Sequence, residues 1–395
     1  SGMSNKENLT MRAMLALLLS TLALTWGSPA AQAQDAYKVG AIFSITGPGS
    51  SLGIPERDTA LMLEADINAK GGIKGPDGKL HPLKIVIYDD ASDETKAVLA
   101  AKKLIDEDKV TAIIGTTLSG TALAILDTVQ KAEVPLVSCA AAIKIVEPAA
   151  ERKWIFKTPQ SDFLIVGVLV DYLKAKGLTK VGWLNVDYAF GQLGWIEFEK
   201  AAQKAGLTVV ANEKFGQKDV DMTAQMTRVK AANPQAVVIW SIPPSASLAT
   251  KNYADLGMTM PLFQSHGVGN KTFIQLAGPA SNGVVFPAGK LLVAEQLPDG
   301  DVQKPVLLAY AREFEAKYGP RNTFGGHAWD AVQIIVKALE KAGTDRAGVR
   351  SAIEGTRNFV GVTGVFDFSA SDHNGLDRRA ATMIQIVDGQ WRQAK

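Results

Sequence analysis

Five short stretches rich in hydroxyls, glycine or aromatic rings are the residues best suited to chemistry, and that chemistry is capture of a ligand rather than bond cleavage. Thr116-Thr117-Leu118-Ser119-Gly120-Thr121 and Ser138-Cys139-Ala140-Ala141-Ala142 each follow a short β-branched run. A loop that opens a helix sets hydroxyls beside unpaired backbone N–H groups, and this suits a carboxylate. Ser119 also reads as a helix N-cap, a role compatible with ligand binding. The other three stretches are Asn185-Val186-Asp187-Tyr188-Ala189-Phe190-Gly191, Ser241-Ile242-Pro243-Pro244-Ser245 and Ser265-His266-Gly267-Val268-Gly269. Aromatic rings and one imidazole converge there.

Several other chemistries are disfavoured. The turn Gly47-Pro48-Gly49-Ser50-Ser51-Leu52-Gly53 resembles a dinucleotide-binding loop, but its third glycine comes one residue late. The acidic strand end Asp89-Asp90 also follows at about twice the spacing that such a fingerprint needs. No G-x-S-x-G elbow, P-loop or H-E-x-x-H motif occurs, so an enzyme is not expected. His81, His266, His327 and His373 are scattered and Cys139 is the single cysteine, which leaves no metal-ligand spacing and no redox pair. No cofactor and no metal are expected. Lys and Arg number 42 against 40 Asp and Glu, a net charge of +2, and no basic stripe marks a nucleic-acid surface.

The elements that must hold these loops follow an alternating pattern. Strands are expected at Lys38–Ser44, Leu83–Tyr88, Val110–Gly115 and Val134–Ser138. Helices fall between them, one carrying Ala60, Leu61, Leu63, Ala65 and Ile67, the others at Thr95–Glu107 and Ala122–Ala132. The rhythm restarts with strands at Lys180–Asn185, Thr208–Asn212 and Ala236–Trp240 around helices at Gly191–Ala205 and Thr223–Ala232. Helices at Pro305–Tyr318 and Trp329–Ala342 and a hairpin through Met383–Val387 and Trp391 complete the chain. Alternation of this kind gives parallel α/β sheets, whose ligands sit beyond the carboxyl ends of the strands.

Residues 1–33 read as a secretory signal, with Lys6 and Arg12 before an uncharged apolar run from Met14 to Trp26 and a small-residue cleavage site at Ala31-Gln32-Ala33. The apolar run is shorter than the ~20 residues of a membrane span. The mature chain is expected to start at Gln34 as a free periplasmic protein. With no cysteine near the cleavage site, lipid attachment there is not expected.

The whole mature chain resembles the type I periplasmic solute-binding proteins, in the branched-chain amino acid (Leu/Ile/Val) branch that serves ABC importers. The likeness rests on Gly47-Pro48, on Ala65-Asp66-Ile67-Asn68-Ala69-Lys70-Gly71-Gly72-Ile73, on Tyr88-Asp89-Asp90, on Ile114-Gly115 with the Ser119 loop, on Val134-Pro135 and on Phe190-Gly191. It implies two Rossmann-like, doubly wound lobes, 34–158 with 287–380 and 159–286 with 381–395. Three hinge crossovers would join them near Lys157–Asp162, Phe286–Gly289 and Arg379–Met383, with closure by bending.

The resemblance further implies that Ser119 and backbone groups of Ala140 hold a ligand carboxylate. Four positions depart from the family pattern. Ala142 replaces a threonine, His266 stands where an acid grips the ligand ammonium, and Leu52 and Phe190 stand where two tyrosines line the pocket. A buried ammonium without a carboxylate partner is strongly disfavoured, so the site reads as one for a small organic acid, aromatic or phenyl-keto acids first. Thr117, Leu118, Ser119, Ala140, Ala141 and Ala142 would form one wall; Leu52, Tyr188, Phe190, Ser241, Ile242 and His266 the rest. His266 is expected to donate a hydrogen bond to a ligand oxygen, or else to satisfy a backbone group near the hinge. The alternatives are a neutral amino acid, a short amide or urea, a sensor subunit of the same fold, and a secreted enzyme. The implied partners are a small organic acid and an inner-membrane ABC permease, met by a monomer.

Overall fold

The computed structural model describes residues 35–395; the expected signal and its cleavage site lie outside them. Two sheets organise the chain. The first is parallel throughout and runs in the order β2-β1-β3-β4-β5, where β1 is Tyr37–Phe43, β2 Leu83–Asp89, β3 Ala112–Gly115, β4 Leu136–Ser138 and β5 Ile155–Lys157. Helix α1 (Ser50–Ala69) follows β1, α2 (Glu94–Asp106) follows β2 and α3 (Ser119–Lys131) follows β3. Val39, Ala41, Phe43 and Ile114 pack one face of this sheet on Ala328, Ala331 and Ile335 of a late helix. The other face buries Ile42 and Ile113 against Ala101, Leu104 and Ile125 of α2 and α3. Strands covered on both faces read as unbroken apolar runs, which is why their sequence shows no alternation.

The chain then leaves the first sheet through residues 158–161 and enters α4 (Asp162–Ala175), capped by the Ser161 hydroxyl accepting from the Leu164 N–H. The second sheet begins with β6 (Lys180–Val186) and, after α5 (Ala189–Ala205), adds β7 (Thr208–Phe215). Helix α6 (Thr223–Ala231), β8 (Ala236–Trp240), α7 (Ser245–Asp255), β9 (Leu262–Gln264), α8 (Lys271–Ala277) and β10 (Val285–Ala288) follow. Helices α9 (Lys304–Tyr318), α10 (Thr323–Ala342) and α11 (Arg346–Glu354) come next, with α9 and α10 against α1 of the first half. The chain ends in the hairpin of β11 (Thr382–Val387) and β12 (Gln390–Gln393). The second sheet has the order β12-β11-β10-β9-β8-β6-β7, parallel from β7 to β10, with the hairpin antiparallel at its edge.

Each sheet therefore reverses its winding once, between β1 and β3 in the first and between β6 and β8 in the second. Crevices at such switch points, outside the carboxyl ends of the strands, are where doubly wound sheets bind ligands. The loops opening there contain Ser119, Tyr188 and Ile242.

Most elements start and stop within two residues of expectation, and the departures have local causes. Helix α10 begins at Thr323 rather than Trp329 because Asn322 caps it, accepting from the Gly325 N–H at 2.9 Å. The pair Gly325-Gly326 lets the helix press on its neighbours: a Cβ on Gly325 would lie 2.2 Å from Tyr310 Oη and one on Gly326 2.6 Å from Val362. Helix α4 escapes periodicity because its segment DFLIVGVLV is apolar on nearly every side.

Gly53 shows how tightly α1 is set against the first sheet, since a Cβ there would stand 1.9 Å from the Ser44 carbonyl oxygen. Gly53→Ala must push α1 off the strand end and should cost about 1–3 kcal/mol. Gly300→Ala, where a Cβ meets open space, should stay within about 0.5 kcal/mol of the parent. Urea unfolding of both variants checks this contrast.

Candidate functional site

The two switch points face one cavity. From the first half come Leu52 of α1, Thr117 and Leu118 after β3, Ser119 at the start of α3, Cys139 and Ala141 after β4, and Pro159 after β5. From the second half come Val186, Tyr188 and Phe190 around the start of α5, Gln217 after β7, Ile242 after β8, and His266 and Gly267 after β9. Helix α10 adds Phe324 and His327. The centre of a water-sized sphere can range over about 40 Å³ of this space, so the cavity is small and largely closed. Its lining holds no aspartate, glutamate, lysine or arginine.

Ser119 is set up to donate. Its Oγ accepts the Ala142 N–H at 3.2 Å, which leaves the hydroxyl proton for a ligand. No side chain caps α3, nor does any cap α5, whose N-cap residue is Tyr188. Two helix N-termini, one from each half, thus reach the cavity with first-turn N–H groups lacking a side-chain acceptor, an arrangement that favours an anion. The halves meet closely here: a Cβ on Gly120 would fall 2.2 Å from Tyr188 Oη.

Three expected site residues lie behind the wall rather than on it. The Ala140 N–H is spent on Ser138 Oγ at 3.1 Å, so it is not free for a carboxylate. Ala142 contributes through Ser119. Ser241 pairs its hydroxyl with Ser245 Oγ at 2.7 Å. Thr117 lines the cavity, but its hydroxyl is already committed, accepting from the Ser44 N–H at 2.9 Å and donating to Glu56 Oε2 at 2.6 Å.

His266 departs furthest from its expected role. Its Nε2 lies 3.1 Å from the carbonyl oxygen of Gln160. A carbonyl only accepts, so Nε2 carries the hydrogen and the alternative reading of a backbone partner near the hinge is realised. Burial, aided by the nearby Lys157 ammonium, pushes the imidazole pKa down to about 3. The ring is therefore neutral, Nδ1 bears a lone pair, and Nδ1 is buried without a protein partner. His266 cannot donate to a ligand oxygen as expected; it can accept.

Sequence reading missed Cys139, Pro159, Val186, Gln217, Gly267, Phe324 and His327 as lining residues. Phe324 and His327 fall before Trp329, where the helix is expected to start, and lie in the first turns of α10. Cys139 stood inside a loop already singled out, but burial pushes its thiol pKa well up, leaving it an inert, apolar group. His327 is held by Nδ1 to Thr363 Oγ1 at 2.9 Å and is likewise driven neutral by burial. Beneath the wall, burial raises the carboxyl pKa of Glu56, and that of Asp330 to about 7. Among the described residues no cluster of three or more His, Cys, Asp or Glu could hold a metal.

A family model described as periplasmic binding protein matches residues 36–390. The chain belongs to that family. A leucine-, isoleucine-, valine-, threonine- and alanine-binding protein of Pseudomonas aeruginosa is 28% identical over 331 residues, covering 83% of this chain and 84% of that protein. An extracellular ligand-binding receptor from Rhodopseudomonas palustris HaA2 superposes with a TM-score of 0.85 at 30% identity, over 91% of this chain and 100% of that one. The substrate-binding protein LivJ of a Streptococcus pneumoniae branched-chain amino acid transporter, solved with isoleucine, shares the fold with a TM-score of 0.80 at 24% identity, over 91% and 99% of the two chains. This periplasmic binding protein therefore has the type I α/β architecture, and its named relatives are solute-binding receptors. No helix among the described residues is long and apolar enough to cross a membrane.

The neutral His266 has a thermodynamic signature. From its ordinary pKa of 6.5 down to about 3 the unfolded chain binds a proton that the folded chain refuses, so this group makes stability fall as pH drops through that window. Asp162 and Asp330, raised to about 6 and about 7, act in the opposite sense, so the comparison must be with a variant. His266→Gln should lose about 2 kcal/mol less stability than the parent between pH 7 and pH 5, read by urea unfolding at both pH values. Equal losses would contradict a buried neutral ring.

Proposed function

We propose that this periplasmic binding protein is the receptor of an ABC importer and closes on a small monocarboxylic acid with an apolar, aromatic body. The observation that carries the reading is the Ser119 hydroxyl, its oxygen held by Ala142 and its proton unspent, at the uncapped N-terminus of α3 in a cavity without charged side chains. A carboxylate gains there from the hydroxyl and from the helix end, while Leu52, Phe190, Ile242 and Phe324 supply an apolar wall. Offset stacking on Phe190 would add about 1 kcal/mol for an aromatic ligand.

In this reading the lobes are 34–158 with 287–380 and 159–286 with 381–395, they close by bending at the crossovers, and the monomeric closed form docks on an inner-membrane permease. Export through the signal at residues 1–33 and release without a lipid anchor belong to the same proposal, as does the absence of catalysis.

A neutral branched-chain amino acid is the second reading, favoured by the names of the relatives and by the acceptor that His266 presents. Against it stands the lining, which offers no carboxylate to a buried ammonium.

The test is titration calorimetry on protein freed of ligand by unfolding and refolding, with benzoate, phenylacetate, leucine, isoleucine and valine. The proposal expects the aromatic acids to bind and Ser119→Ala to weaken them about 10–100-fold, the worth of a hydrogen bond to a charged group. Binding confined to the amino acids would replace it with the second reading.

A further inference from the structure

The most informative group left unused by the carboxylate reading is His266 Nδ1. The imidazole lies at the cavity wall, packed against both Phe190 and Trp240 at ring-centroid distances of 5.9 and 6.1 Å. Its other nitrogen is committed to the Gln160 carbonyl. Gln160 cannot shift to release it, because its own amide donates to Thr363 O at 3.1 Å and Ala380 O at 2.8 Å. The tautomer is thereby fixed from outside the cavity, and the one nitrogen left over is an acceptor with no partner.

The charged and titratable groups around the ring leave it in that state. Lys157, whose Nζ donates to Pro159 O at 2.5 Å and Asn374 Oδ1 at 3.4 Å, acts against protonation of the ring, and His327 on α10 is itself driven neutral by burial. No acidic side chain is hydrogen-bonded to His266. A buried acceptor left unmade is costly, and a site with such an acceptor discriminates against ligands that bring no donor to it.

We propose that His266 is a specificity-determining residue that accepts a hydrogen bond from the solute, and that the solute is a 2-hydroxy monocarboxylic acid rather than its 2-keto or unsubstituted analogue. The small cavity keeps the donor within the first atoms beyond the carboxyl group. A hydroxyl meets the lone pair as a neutral donor. An ammonium would also donate, but it would enter a lining that offers no counter-charge. A keto oxygen would set two acceptors against each other. This inference rests on the carboxylate reading above and narrows it.

The experiment is calorimetric titration at pH 7 with two matched series. The first is 3-phenylpropionate, phenylpyruvate, 3-phenyllactate and phenylalanine; the second is 4-methylvalerate, 2-ketoisocaproate, 2-hydroxyisocaproate and leucine. Within a series only the group at C2 changes, so the ranking there tests His266, whereas preference for one skeleton over the other tests the aromatic body. The hydroxy acid should bind at least 10-fold more tightly than the keto and unsubstituted acids, and His266→Leu should remove that margin. Should the variant fail to fold, the ranking on the parent protein decides alone. A keto or unsubstituted acid binding as tightly as the hydroxy acid overturns the proposal. So does tighter binding of the amino analogue, which returns the site to amino acids. Binding by none of the eight overturns the monocarboxylate reading itself.

Discussion

Gln160 ties together segments that lie far apart in this chain. Its side-chain amide donates to two backbone carbonyls, Thr363 O and Ala380 O, and lies so close to Gly289 that a Cβ there would be 2.9 Å away. Its own carbonyl takes the Nε2 hydrogen of His266. One residue, 1% exposed, thus joins Gly289, Thr363 and Ala380 and also sets the tautomer of a ring in the cavity. A buried amide nitrogen held by two carbonyls has its orientation fixed. The packing of these distant segments and the chemistry of the site are in this way parts of one hydrogen-bond cluster.

Electrostatics around the cavity follow from burial more than from charge. The lining is uncharged, and the ionisable groups just beneath it are driven toward their neutral forms by desolvation: Glu56 and Asp330 upward, His266 and His327 downward, Lys157 down to about 7. A carboxylate of the kind proposed would therefore meet no charged side chain in the lining, and the N-termini of α3 and α5 would supply the opposing dipoles. Such dipolar stabilisation costs no side-chain ordering at the moment of binding and acts strongly where water is excluded.

Much of this was legible in the sequence because parallel strands and their helices write themselves as apolar runs and breaks. Ser119 and Tyr188 could be placed at strand ends, and strand ends at switch points become site walls by topology alone. The chemistry of individual groups was not legible. That the Ala140 N–H is already used by Ser138, or that Thr117 is tied to Glu56, depends on pairings between residues far apart in the chain. His266 is the sharpest case: its residue type allows donor or acceptor, and only the Gln160 carbonyl, 106 residues away, decides between them. Phe324 and His327 were lost for a local reason, since the helix, capped by Asn322, starts at Thr323, six residues before the expected Trp329.

The central claim is that His266 stands in the cavity as a neutral ring with its hydrogen on Nε2. Long-range hydrogen–nitrogen correlation spectra of the ligand-free protein labelled with nitrogen-15 histidine read this directly, with His266→Gln supplying the assignment. The account predicts the Nε2–H tautomer, unchanged from pH 8 to pH 5. An Nδ1–H tautomer, or a ring that titrates near 6.5, would contradict it.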